Sequence, residues 1–154
     1  NAPQRIDRLI LANTSCYYPD PTNWNNRIKA VTDGGIASVA DTVIAGWLTA
    51  DFRQRSPQIA QRMKDMLIAS PVQGYIACCK ALRILDQRDL LPRIKARTMV
   101  IAGRKDMATP VEAGEYIRAH IPGASMTLLD AAHISNVEQP HDFTEAVVGF
   151  LTQR

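Results

Sequence analysis

No apolar run in the sequence approaches the ~20 residues that a helix needs to cross a bilayer, so a helical membrane anchor within these residues is excluded. Charge of one sign is also lacking: 18 Lys and Arg against 15 Asp and Glu leave a net +3, and the basic residues are scattered. Aromatics are only 6%. With no basic stripe interleaved with aromatic rings, nucleic acid is not an expected partner. The cysteines are three, Cys16, Cys78 and Cys79. An odd count with an adjacent pair does not form a disulfide framework and points to a reducing compartment. The three histidines and the cysteines show no paired ligand spacing, so no zinc site is expected. No stretch reads as a signal peptide, an internal repeat or a low-complexity tract. The cytoplasm is the expected location.

What is present is the composition of an ordinary globular domain: 46% apolar, 21% charged, and 154 residues to build a core from. Three short apolar runs read as buried strands: "RLILAN" (8–13), "TMVIAG" (98–103) and "SMTLLD" (125–130). Between the second and third lies a helix start, with Thr109 as the expected N-cap, Pro110 at the first helical position and Glu112 completing a capping box. Ala113, Ile117 and Ile121 repeat at four-residue spacing along it. After Pro140, Phe143, Val147, Phe150 and Leu151 fall on one helical face. From residue 98 onward the order is therefore strand, helix, strand, helix, which predicts a parallel sheet with helices packed on it.

The stretch 22–92 is different. It carries helical patterns such as "SPQIAQRMKDMLIAS" and "GYIACCKALRILD", broken at Gly34-Gly35, Pro57 and Pro71, and no strand signal interrupts it. It reads as a helical subdomain inserted between two strands, with residues 1–21 and 93–154 supplying the sheet.

Ligands of open parallel sheets bind beyond the carboxyl ends of the strands. Two polar residues fall there: Asp106 in "GRKDMATP" and His133 in "AAHISN". They are one strand–helix–strand unit apart, so their loops are expected to be neighbours. An aspartate that accepts a hydrogen bond from one imidazole nitrogen fixes the tautomer and leaves the other nitrogen as a general base.

At these residues the sequence resembles the α/β-hydrolase family. "VIAGRKDMATP" and "LLDAAHISNVEQPHDF" are similar to that family's acid and histidine segments, and the helical insertion is similar to its cap domain. More narrowly, "RIDRLILANTS", "GWLTADF", "GYIACCKALRILDQRDLL" and "AAHISNVEQP" resemble 3-oxoadipate enol-lactonases, which act on a lactone in the bacterial breakdown of protocatechuate and catechol. The resemblance implies a serine ester hydrolase without cofactor, with His133 as base and Asp106 as its orienting acid. It covers the whole chain but only the C-terminal part of such an enzyme. The family's G-x-S-x-G nucleophile elbow has no counterpart here. "GASMT" (123–127) ends on Thr127, Ser125 enters a strand, Ser135 shares the loop of His133, and Cys16 has no elbow around it. The opening "NAPQRIDRL" reads as the tail of a helix running into a strand. The expectation is that the serine lies upstream, in an N-terminal segment of the same enzyme. Rival expectations are a carboxylesterase, a carbon–carbon bond hydrolase, or a fragment that is non-catalytic alone.

Among the other chemistry-bearing residues, His120 is expected at a helix end and His141 in solvent. Cys78-Cys79 is expected as buried helix filling. Trp47 is open between packing in the cap and lining the substrate pocket beneath it. Arg53 and Arg83 are the cap arginines able to pair with a lactone carboxylate.

Overall fold

The structure, a computed structural model, describes residues 2–152. It divides into two compact units: a helical one, Tyr17–Asp86, and a sheet-bearing one made by the chain on either side of it.

The sheet has three parallel strands, β1 (Arg8–Ala12), β2 (Arg97–Gly103) and β3 (Ser125–Leu129), in the order β1-β2-β3. Ile10 pairs with Met99 and Ala12 with Ile101, while Ile101 pairs with Thr127 and Gly103 with Leu129. Five helices, α1 (Thr22–Gly34), α2 (Ala37–Trp47), α3 (Ala50–Arg55), α4 (Pro57–Ile68) and α5 (Val72–Arg83), lie between β1 and β2. Helix α6 (Val111–His120) joins β2 to β3, and α7 (Ser135–Glu138) and α8 (Pro140–Thr152) follow.

Every residue of β2 after Arg97 is buried. Side chains alternate across a strand, and both faces are covered. Met99 and Ile101 pack with Leu129, Ala131 and Phe150 of α8. On the opposite face, Gly114 of α6 comes so close that a methyl group there would meet Val100 and Ala102 at 3.3 Å. This double burial is why the strand reads as an unbroken apolar run. Phe143 and Val147 join the α8 face as expected, whereas Leu151 turns outward and is 48% exposed. The expected cap of α6 is also corrected. The helix begins at Val111 after Pro110, with no side chain capping it, because the Thr109 hydroxyl is engaged elsewhere.

The helical unit has its own core of Val31, Ile36, Ala40, Val43, Leu67 and Ile76. Its breaks fall where the sequence punctuates it. Gly35 at φ 70 ends α1 in a left-handed conformation, with its N–H returned to the Val31 carbonyl. Pro57 opens α4, and Pro71 precedes α5. The unit ends before the 3-10 turns at Arg88–Arg93, which bury Leu91 and lie against α6, so they belong with the sheet rather than with the helices that the sequence suggested through residue 92. The chain leaves and returns at one point: Tyr17 and Asp86 form an antiparallel bridge. Beside it, the Gln87 N–H donates to the Cys16 carbonyl at 2.8 Å.

Candidate active site

The loops beyond the three strand ends converge, and backbone hydrogen bonds hold them together. The N–H of Arg104 donates to the Leu129 carbonyl (2.9 Å) and that of Lys105 to the Ala131 carbonyl (3.0 Å). Gly103 permits this approach: a Cβ at that position would lie 2.5 Å from the Ala132 carbonyl oxygen and would also strike that of Ala131. Lys105 and Asp130 add an exposed ion pair at 2.8 Å, which contributes little in water.

Asp106 sits in the second loop with its side chain fully buried. Five donors converge on its carboxylate. Oδ1 accepts from the N–H groups of Ala108 (2.8 Å) and Thr109 (2.9 Å). Oδ2 accepts from the Thr109 hydroxyl (2.8 Å), His133 Nδ1 (2.9 Å) and Asn13 Nδ2 (3.1 Å). Burial alone would push the carboxyl pKa up. The His133 imidazole, the Thr109 N–H, the charge of His133 and the Thr109 hydroxyl outweigh it and hold the group below the ordinary aspartate range. The charged form is therefore the resident one.

An ionised, buried acceptor facing Nδ1 fixes the imidazole tautomer. In the neutral ring Nδ1 then carries the proton, and Nε2 keeps its lone pair. The Thr109 oxygen lies 3.3 Å from the same Nδ1, and no hydrogen bond reaches Nε2 from any described residue. The ring is 22% exposed. An imidazole held in this way can serve as an oriented general base through its open nitrogen.

The structure thus brings together the two residues singled out at the strand ends, and it adds four that the sequence did not mark as a set. Asn13, at φ 45, is the one non-glycine among the described residues with positive φ. Its Nδ2 also donates to the Ala132 carbonyl (3.2 Å), and its Oδ1 accepts from the Ser135 hydroxyl. Glu138, buried, accepts the Ala132 N–H, and Thr109 serves the carboxylate. Asn13 was findable, since it is the first polar residue after an apolar strand. Ser135 and Glu138 carry no such signal.

Other candidates lie elsewhere. Trp47 ends α2, half-buried against the core of the helical unit. Arg83 donates to Asn25 at 3.3 Å, while Arg53 buries its Nε without a hydrogen-bond partner. His120 stacks on Tyr116 at 4.0 Å, and His141 is exposed beside Asp142. Only half of the cysteine pair is filling: Cys79 is buried, Cys78 exposed, because neighbours on a helix point about 100° apart. Burial pushes the Cys79 thiol up despite the nearby Arg27, which leaves it a poor nucleophile. No helix of the described residues is long and apolar enough to cross a membrane.

Comparison with known proteins agrees with this architecture. The chain is 37% identical over 145 residues to 3-oxoadipate enol-lactonase 2 of Acinetobacter baylyi, a match covering 94% of this chain and 54% of the relative. It superposes on the crystal structure of the enol-lactonase from Burkholderia xenovorans LB400 with a TM-score of 0.94 and 36% identity, covering 97% of this chain and 57% of that one. A thermophilic esterase from Thermogutta terrifontis is similar at a TM-score of 0.88 and 26% identity, covering 98% and 57%. The chain spans about half the length of the relatives it matches. Residues 1–140 match the family described as alpha/beta hydrolase fold. With parallel strands, flanking helices and an Asp–His pair at the strand ends, the chain belongs to the α/β-hydrolase family.

Proposed function

We propose that these residues are the acid-and-histidine half of a serine ester hydrolase acting on 3-oxoadipate enol-lactone, with the serine supplied by a preceding segment of the same enzyme. The observation that carries the reading is the buried Asp106 carboxylate 2.9 Å from His133 Nδ1, with Nε2 left open. Two curated relatives named as 3-oxoadipate enol-lactonases, 37% and 32% identical, support the substrate. Neither Ser125, Ser135 nor Cys16 suits the nucleophile's place: Ser125 is exposed at the start of β3, Ser135 is buried and spent on Asn13, and Cys16 is buried. In this reading the helical unit is the cap and the enzyme works in the cytoplasm.

The chemistry follows from the tautomer. As the serine oxygen bonds to the lactone carbonyl carbon, Nε2 takes its proton, and the Asp106 charge stabilises the imidazolium. The ring C–O bond breaks, the departing enol oxygen takes that proton, and the enol ketonises to the 3-oxo group. Water then adds to the acyl ester through the same nitrogen, releasing the acid and restoring the serine.

The test is the full-length enzyme with the lactone, followed by loss of its ultraviolet absorbance. His133→Ala should lower kcat by about 10³-fold or more at unchanged circular dichroism. Full activity in that variant would refute the reading. The likeness to an esterase at 26% identity favours a simple carboxylic ester as the second substrate class. A higher kcat/KM on such esters than on the lactone would select it.

A further inference from the structure

We infer that Asn13, held by Ser135, is a positioning residue for the Asp106–His133 pair. The inference rests on the reading above only in what the pair does. The contacts themselves stand apart from it.

Four observations converge on this side chain. Asn13 sits at the end of β1, 93 residues from Asp106 in sequence, and it takes a left-handed backbone conformation that bulky residues avoid. Its own N–H is fixed to the Ile101 carbonyl on the central strand (2.8 Å), so the residue is anchored from behind. Its carboxamide orientation is dictated, because one end faces two acceptors, Asp106 Oδ2 and the Ala132 carbonyl, and must be the NH₂. The other end receives the Ser135 hydroxyl and must be the oxygen. Ser135 is itself 1% exposed, and its hydroxyl donates to this oxygen.

The consequence is geometric. One NH₂ group spans the acid loop and the histidine loop, fixing Asp106 Oδ2 relative to the peptide that carries His133. The titratable groups around it are Asp106 and His133, with Glu138 one step away on the Ala132 N–H. An aspartate in this place would have the same shape but no donor. It would set a second carboxylate against Oδ2 and add negative charge beside the imidazole.

The experiment uses the full-length enzyme with Asn13→Gly, Asn13→Asp and Ser135→Ala. Glycine tolerates the backbone conformation, so Asn13→Gly removes the side chain without adding strain. Expected for Asn13→Gly is a kcat lower by about 10-fold with KM within about twofold. The downfield imidazole Nδ1–H proton resonance should also exchange faster with water. In Asn13→Asp the acid limb of the kcat/KM profile should move up by about one pH unit, since the added charge favours the imidazolium. Ser135→Ala should produce a smaller change in the same readouts, and it tests the idea should either Asn13 variant fold poorly. An unchanged pH profile and an unchanged Nδ1–H resonance across the folded variants would overturn the inference, even if turnover falls. Should His133→Ala remain active, the hydrolase reading fails, yet the resonance still judges Asn13.

Discussion

Substituting alanine for Gly103 adds one methyl group at the point where the acid and histidine loops cross. Its Cβ would lie 2.5 Å from the Ala132 carbonyl oxygen, against an ordinary contact of 3.4 Å or more, so the two strands of backbone must part by about 0.9 Å. Neither side can yield by a rotamer change, because both are main chain. The loop that moves carries His133, and its hydrogen bonds from Arg104 and Lys105 must stretch with it. Overpacking of this kind costs about 1–3 kcal/mol of stability. A 1 Å misplacement of a reacting group costs about 10²-fold in rate. Gly103→Ala in the full-length enzyme is therefore expected to fold, to melt a few degrees lower, and to lose about 100-fold in kcat. Paired thermal melts and steady-state kinetics on the same preparation check this. A variant that keeps kcat within twofold of wild type would show that the histidine loop does not depend on the approach at Gly103.

Asp106→Asn should cost about 2 kcal/mol at neutral pH, because it removes an ionised acceptor from five donors. The folded-state pKa of Asp106 is lowered, so its stabilisation is present above about pH 4 and fades as the pH falls through the folded value. The deficit of the variant should accordingly narrow in acid, as read by denaturant titration at several pH values. Combined with His133→Ala, the same substitution should add little further loss of turnover, since both disable one proton-transfer unit, and double-mutant kinetics measure this. Trp47→Ala should lower stability by about 3 kcal/mol, because the ring packs on the helical core. A larger effect on turnover than on melting would instead assign the ring to substrate. These residues in isolation should lack a cooperative melt, since among the described residues β1 and β3 each pair on one side only.

Strand β2 was legible because burial on both faces leaves a continuous apolar signature that needs no periodicity, while β1 and β3, only partly buried, showed as shorter runs. Asp106 and His133 were legible from position alone, as polar residues just past such runs. The start of α6 was misread because local rules count Thr109 as a cap, while its hydroxyl answers a carboxylate that outcompetes the helix end. Helix α7 is four residues long, too short for any repeat, so Glu138 and Ser135 could not be seen as buried. Leu151 and Cys78 show the limit of helical spacing. A residue on the margin of an apolar face is buried only if a partner reaches it, and sequence does not say where partners end.

The bridge between Tyr17 and Asp86, with Gln87 bonded to Cys16 beside it, pins together the two ends of the helical unit. A segment whose two ends are pinned together adds almost no strain to the sheet, whatever its length, since the cost of closing a loop grows only logarithmically with its size. Helices can therefore be gained, lost or exchanged between those ends while the strand ends keep their register. The pinned ends are a natural graft junction. A chimera cut at 16 and 87 and fitted with another helical insert should keep the Asp106–His133 contact intact.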